Sequence, residues 1–71
     1  MFEVKWITYR AGKLVDVVEI EHSEMRRLDE VVAALQFRLP RMRLRHPVNP
    51  PDGFVVLDKD GNELRLWVGK P

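Results

Sequence analysis

One apolar stripe at helical spacing, set between two stretches of strict alternation, is the feature that most limits the folds open to this chain. Met25, Leu28, Val32, Leu35 and Leu39 recur at intervals of three and four, which lines one face of a helix. On either side the period is two. Phe2, Val4 and Trp6 alternate with Glu3, Lys5, Ile7 and Tyr9, and Arg10-Ala11-Gly12-Lys13 then supplies a turn. Leu14 to Glu21 reads as the return strand, with Val18 and Ile20 on one face and Val15, Val17, Glu19 and Glu21 on the other. Beyond the helix, Phe54 to Asp58 is an apolar run and Asp60-Gly61 a hairpin turn. Glu63 to Val68 alternates, with Leu64, Leu66 and Val68 taken as inward and Arg65 and Trp67 as outward.

Such a chain must stabilise itself by packing. Its 71 residues make one domain, 1–71, and it contains no cysteine, so disulfides and thiolate metal sites are excluded. His22 and His46 are too few for a zinc site without carboxylate help, and no metal or cofactor is expected. A single core of this size leaves a margin of only ~3–5 kcal/mol, so a partner chain is a natural source of extra stability. The net charge of +1 gives no bulk attraction to nucleic acid or anionic lipid. No apolar run approaches the ~20 residues of a membrane span, and Met1–Lys5 lacks a signal-peptide pattern. The expectation is a cytoplasmic protein with no membrane partner.

Ser23 is read as the helix N-cap, followed by Glu24 in the first turn. The helix is predicted over residues 23 to 37 or 38, because Pro40 drives Leu39 out of the α region. Residues 41–46 admit two readings, a kinked continuation of the helix or an extended segment. The extended reading, an extra short strand, is the one adopted here. Pro47, Pro50 and Pro51 then form a stiff loop ending at Asp52-Gly53, and Gly69-Lys70-Pro71 is a tail.

The order is ββαββ, an α+β fold. The simplest packing is a four-stranded mixed sheet in the order 2-1-4-3, its last strand parallel to its first, with one helix across one face. In element order this layout is similar to the β-grasp folds of ubiquitin and of the immunoglobulin-binding domains of bacterial surface proteins. No motif is shared with either, so the resemblance implies no activity.

Catalytic groups are scarce. Ser23 is the one serine and Thr8 the one threonine, and Ser23 already has a capping role. Asp16, Glu19 and Glu21 sit on a hairpin of a chain expected to be too small to enclose a pocket of ~300 Å³. Asp58-Lys59-Asp60-Gly61-Asn62 fails as a calcium loop, since Val56 and Trp67 would fall where oxygen ligands are required. The chain is therefore expected not to be an enzyme.

Two other features point to binding. Arg38, Arg41, Arg43 and Arg45 place +4 in residues 38–46 against a chain total of +1, so the remainder carries −3. They are candidate contacts for phosphate or an acidic partner, unless they pair with Glu19, Glu21, Asp29 or Glu30. The second feature is an excess of apolar residues on the sheet face away from the helix. Ile7, Tyr9, Val15, Val17 and Trp67, rimmed by Arg65, are the predicted partner-binding set. The function expected is a non-catalytic protein-interaction module, adaptor or regulator, able to self-associate. A weak nucleic-acid-binding module using residues 38–45 is the alternative.

Overall fold

The computed structural model describes residues 1–69, so the predicted tail at Lys70 and Pro71 lies outside the described residues. It is an α+β fold: β1 (Phe2–Arg10), β2 (Lys13–Ser23), α1 (Leu28–Arg45), β3 (Gly53–Leu57) and β4 (Glu63–Val68). One helix packs on one face of a four-stranded sheet.

The sheet runs β2-β1-β3-β4 with every neighbouring pair antiparallel. This differs from the expected mixed sheet in the order 2-1-4-3, and the physical reason is legible in the strands. A strand apolar on both faces loses most by standing at an edge, whereas charged residues suit an edge strand. All five residues of β3, Gly-Phe-Val-Val-Leu, are buried, whereas β4 carries Glu63 and Arg65. β3 therefore takes the interior place beside β1, and β4 the edge. The β2–α1–β3 connection then joins two parallel strands across the intervening β1.

The first hairpin closes on Ala11 and Gly12, both at positive φ (53° and 75°), the backbone of a two-residue turn matched to strand twist. The second turn is wider than expected. Gly61 alone of its central pair has positive φ, and the Asp58 carboxylate holds the loop. Asp58 Oδ1 accepts from the backbone N–H of Asp60 and of Asn62, both at 2.9 Å. Those bonds, with one from the Asn62 side chain, hold the carboxyl below its usual value despite some desolvation.

The helix departs most from expectation. It starts at Leu28, with four residues between it and the end of β2, so Ser23 closes a strand instead of capping a helix. Its hydroxyl accepts from the Met25 N–H at 3.2 Å. Met25, expected on the stripe, is exposed ahead of the helix. Pro40 lies inside the helix, and the extra strand expected at 41–46 is its last turn. An interior proline costs about 3 kcal/mol. Against this, Met42 is 3 % exposed, and burying such a side chain contributes about 1.5–3 kcal/mol. Arg43, Arg45 and His46 bind neighbouring elements as well, and together these terms carry the helix through the proline.

The core under the helix joins Val4, Trp6, Phe54 and Val56 to Val31, Val32, Leu35 and Met42, with Phe2, Leu28, Leu39 and Trp67 packed against it. Trp6 meets Phe54 edge-on at 5.7 Å, and Phe54 stacks on Trp67 at 5.3 Å. Gly53 allows this closeness. A Cβ there would stand 2.0 Å from the Trp67 carbonyl oxygen.

Candidate interaction surface

On the face away from the helix, a second buried group forms from Ile7, Val55 and Leu57, with Tyr9 packed on it. Register shows what flanks it. Lys5 stands opposite Ile20, Ile7 opposite Val17, Tyr9 opposite Leu14, and Val55 opposite Leu66. The central residues are covered, Ile7 completely, but the flanking aliphatics are open: Leu14 is 48 % exposed, Val17 36 %, Ile20 54 % and Leu66 38 %. The surface is thus an aliphatic face over a buried spine. Most solvated sheet faces are polar instead.

Two bulges in β2 create this arrangement. Val18 and Val15 have no partner on β1, so the alternation resets twice along the strand. Unbroken alternation would keep Val17 and Glu19 on one face. The bulge at Val18 separates them. Glu19 and Glu21 stand opposite Trp6 and Val4 on the helix side, while Val17 and Ile20 face away from it.

The predicted site residues therefore divide. Ile7 and Tyr9 lie on the open face, Ile7 as buried spine, and the Tyr9 hydroxyl donates to the Gly12 carbonyl at 2.9 Å. Val17 is on the face and accessible, and Val15 is an exposed bulge residue. Arg65 and Trp67 are not part of it. Arg65 pairs with Val56 and Trp67 with Phe54, so both lie on the helix side. Alternation separates two sets of β4 residues without saying which set the helix covers. The expectation places the more aliphatic set inward, but the helix covers the set containing the larger aromatic. Ile20 and Leu66, expected to face the helix, and Leu14, outside the predicted set, also lie on the open face.

The arginines are largely engaged within the chain. Arg38 makes a two-pronged bridge to Glu21, 3.0 Å at each oxygen, with its guanidinium 5.5 Å from the Trp6 ring centroid. The Trp6 indole N–H also donates to Glu21. Burial acts to raise the Glu21 pKa, but the Arg38 and Trp6 hydrogen bonds and the charges of Arg38 and Arg45 outweigh it and leave the carboxyl below its ordinary range. Arg45 lies 3.6 Å from Glu19, and His46 Nε2 is 2.8 Å from the same oxygen. Asn49 donates to Asp16 at 3.0 Å. Three β2 acids, Asp16, Glu19 and Glu21, thus tie down the helix end and its following loop. Among the described residues, Arg41 alone of the four arginines has no acidic partner.

Asp52 is a hub that the sequence reading passed over. Its N–H donates to the Ile7 carbonyl and its carbonyl accepts from Gly69 N–H, both at 2.8 Å. Its carboxylate accepts from Tyr9 N–H at 2.9 Å and lies 3.4 Å from Arg43, which also donates to the Pro51 carbonyl at 2.8 Å. Beside it runs an open groove of about 500 Å³, not an enclosed pocket, lined by Tyr9, Arg10, Leu39, Arg43 and Asp52 among others.

Among the described residues, no cluster of three metal-ligating side chains occurs. No described helix is long and apolar enough to cross a membrane. No protein-family model matches the chain. No curated protein and no solved structure matches it either.

Proposed function

We propose that this chain is a non-catalytic interaction module, an adaptor or small regulator, that receives another protein chain on the helix-free face of its sheet. The observation carrying this reading is the ring of exposed aliphatics, Leu14, Val17, Ile20 and Leu66, around a spine already buried. Contiguous exposed apolar patches mark interfaces, and Lys5, paired with Ile20 and Val55, places one positive charge within this face. A four-stranded face of this strand length covers only ~400 Å², about half of the ~800 Å² per partner of a standard interface. The face alone therefore supports weak, reversible association, and a firmer complex would also engage a sheet edge.

The nucleic-acid alternative has less support. Arg38, Arg43 and Arg45 contact Glu21, Asp52 and Glu19, so phosphate binding would have to displace existing partners.

Ile20→Asp and Leu66→Asp test the proposal, separately and together. Both positions are exposed, so the expected loss of stability is small, about 1 kcal/mol or less. The native chain should gain mass with concentration in sedimentation, or retain a specific partner on an affinity matrix, and the variants should lose that association while their circular dichroism stays unchanged. Self-association and partner retention that both persist in the double variant would overturn the assignment of this face.

A further inference from the structure

Arg43 is an anchored guanidinium with one edge left over. Its Nη1 donates to the Pro51 carbonyl at 2.8 Å and lies 3.4 Å from Asp52 Oδ1. Among the described residues, its Nε and Nη2 have no acceptor. That edge is a planar fork matched to the two oxygens of a carboxylate, and the side chain is 46 % exposed. Arg43 and Arg10 line the open groove of about 500 Å³, with Asp52 as its one acid, so the lining carries a single net positive charge. The first hairpin adds to this. Arg10 and Lys13 stand directly opposite each other across the Ala11-Gly12 turn, a like-charge pair that destabilises a hairpin. No ion pair among the described residues involves either of them. Cations gathered at one end of a sheet without acids of their own are complementary to an anion from outside.

We infer that this groove receives an acidic side chain of a protein partner, its carboxylate bound by the free edge of Arg43 with Arg10 as the second cation. The inference rests on the reading of this chain as a protein-binding module and names the partner's chemistry. Charge selects a carboxylate. A single net positive charge matches a monoanion, whereas a phosphate dianion would bring a second negative charge against Asp52. Shape selects a side chain carried on a peptide. The volume falls within the ~300–1,000 Å³ of ligand sites, but the groove is open along its length, and Leu39 and Val68 offer an aliphatic wall to the residue beside the acid. Position ties the groove to the open face. Tyr9 lines it and also packs on Ile7, Val55 and Leu57, so a partner lying on the face reaches the groove without a gap. The groove thereby adds area that the face lacks. The bonds to Pro51 and Asp52 hold Arg43 in place beforehand, so less side-chain freedom is lost on binding. One free edge does not restore the row of phosphate contacts that a nucleic acid needs.

The probe is the tripeptide leucyl-glutamyl-leucine blocked at both ends, whose only charge is its side chain, titrated into the labelled native chain and followed by amide and arginine Nε resonances. The backbone N–H groups of Tyr9 and Gly69 and the Arg43 Nε should shift saturably, with a Kd on the order of 1 mM. The glutamine counterpart should bind about tenfold more weakly, and added salt should weaken the glutamyl peptide alone. Arg43→Lys keeps the charge but removes the fork, and should cost a similar factor. Arg10→Gln should weaken the glutamyl peptide as well, while its thermal stability holds or rises because the like-charge pair with Lys13 is gone. The Ile20→Asp/Leu66→Asp double variant, which tests the sheet face, should bind the peptide as the native chain does. The sheet-face reading can therefore fail while the groove stands. Equal binding of the glutamyl and glutaminyl peptides would overturn the inference, as would no saturation by ~20 mM peptide. Loss of peptide binding in the Ile20→Asp/Leu66→Asp variant would move the site out of the groove. Inorganic phosphate shifting the same resonances more tightly than the glutamyl peptide would give the groove to a phosphate ligand instead.

Discussion

The two faces of the sheet are built from similar apolar content, yet one is sealed and the other is half open. On the helix side, Trp6, Phe54 and Trp67 form an aromatic chain under α1, closed along β2 by bridges from Arg38 to Glu21 and from Arg45 to Glu19. On the other side, aliphatic residues cover only their own centre, leaving Leu14, Val17, Ile20 and Leu66 accessible. Hydrophobic composition therefore does not distinguish a sealed face from an open one. What distinguishes them is whether a further element, with charged groups to seal its edge, lies on top.

The largest effects should come from the sealed face. Trp6→Ala removes a fully buried aromatic and should cost about 3–5 kcal/mol, comparable to the whole margin of so small a domain. Loss of the cooperative urea transition is the expected readout, and a variant that unfolds like the native chain would break the comparison. Trp67→Ala should follow at about 2 kcal/mol, as a half-buried ring stacked on Phe54. Its loss should appear in folding and leave association by the folded fraction unchanged, which separates it from the open-face residues.

Asp52→Ala should cost about 1–3 kcal/mol by leaving the Tyr9 N–H without its acceptor and removing the Arg43 ion pair. Thermal denaturation would show it. Smaller still is the acid limb. The folded-state pKa of Glu21 lies below its unfolded value, so its contribution is fully present above the ordinary glutamate range and fades as pH falls through the depressed value. Glu21→Gln should flatten stability against pH in that window and leave the open face's association unaltered. Val17→Ser should sit at the bottom of the scale for folding, within about 1 kcal/mol, while weakening association measurably in light scattering.

Much of this was legible in the chain. The hairpin–helix–hairpin order, the stripe through Leu28, Val32, Leu35 and Leu39, and the presence of more apolar strand residues than one helix can cover all follow from periodicity. The pairing of the arginines with Glu19 and Glu21 was open as an alternative to ligand contact, and Arg38 and Arg45 take it. The apolar character of β3 against the charges of β4 is a readable signal for their interior and edge places. Trp67 lies on the face opposite to the expected one, because alternation is symmetric between faces.

Sequence alone determined the elements and their amphipathic character, because side-chain period is a property of the local backbone. The tertiary structure alone decided which face each strand offers, through the bulges at Val15 and Val18 that shift register without any marker in composition. It also decided that α1 runs through Pro40, since the burial of Met42 and the ties from Arg43, Arg45 and His46 exist only once distant segments meet. Local preference is set by neighbours in the chain. Its override is set by contacts formed across the fold, and those have no local signature.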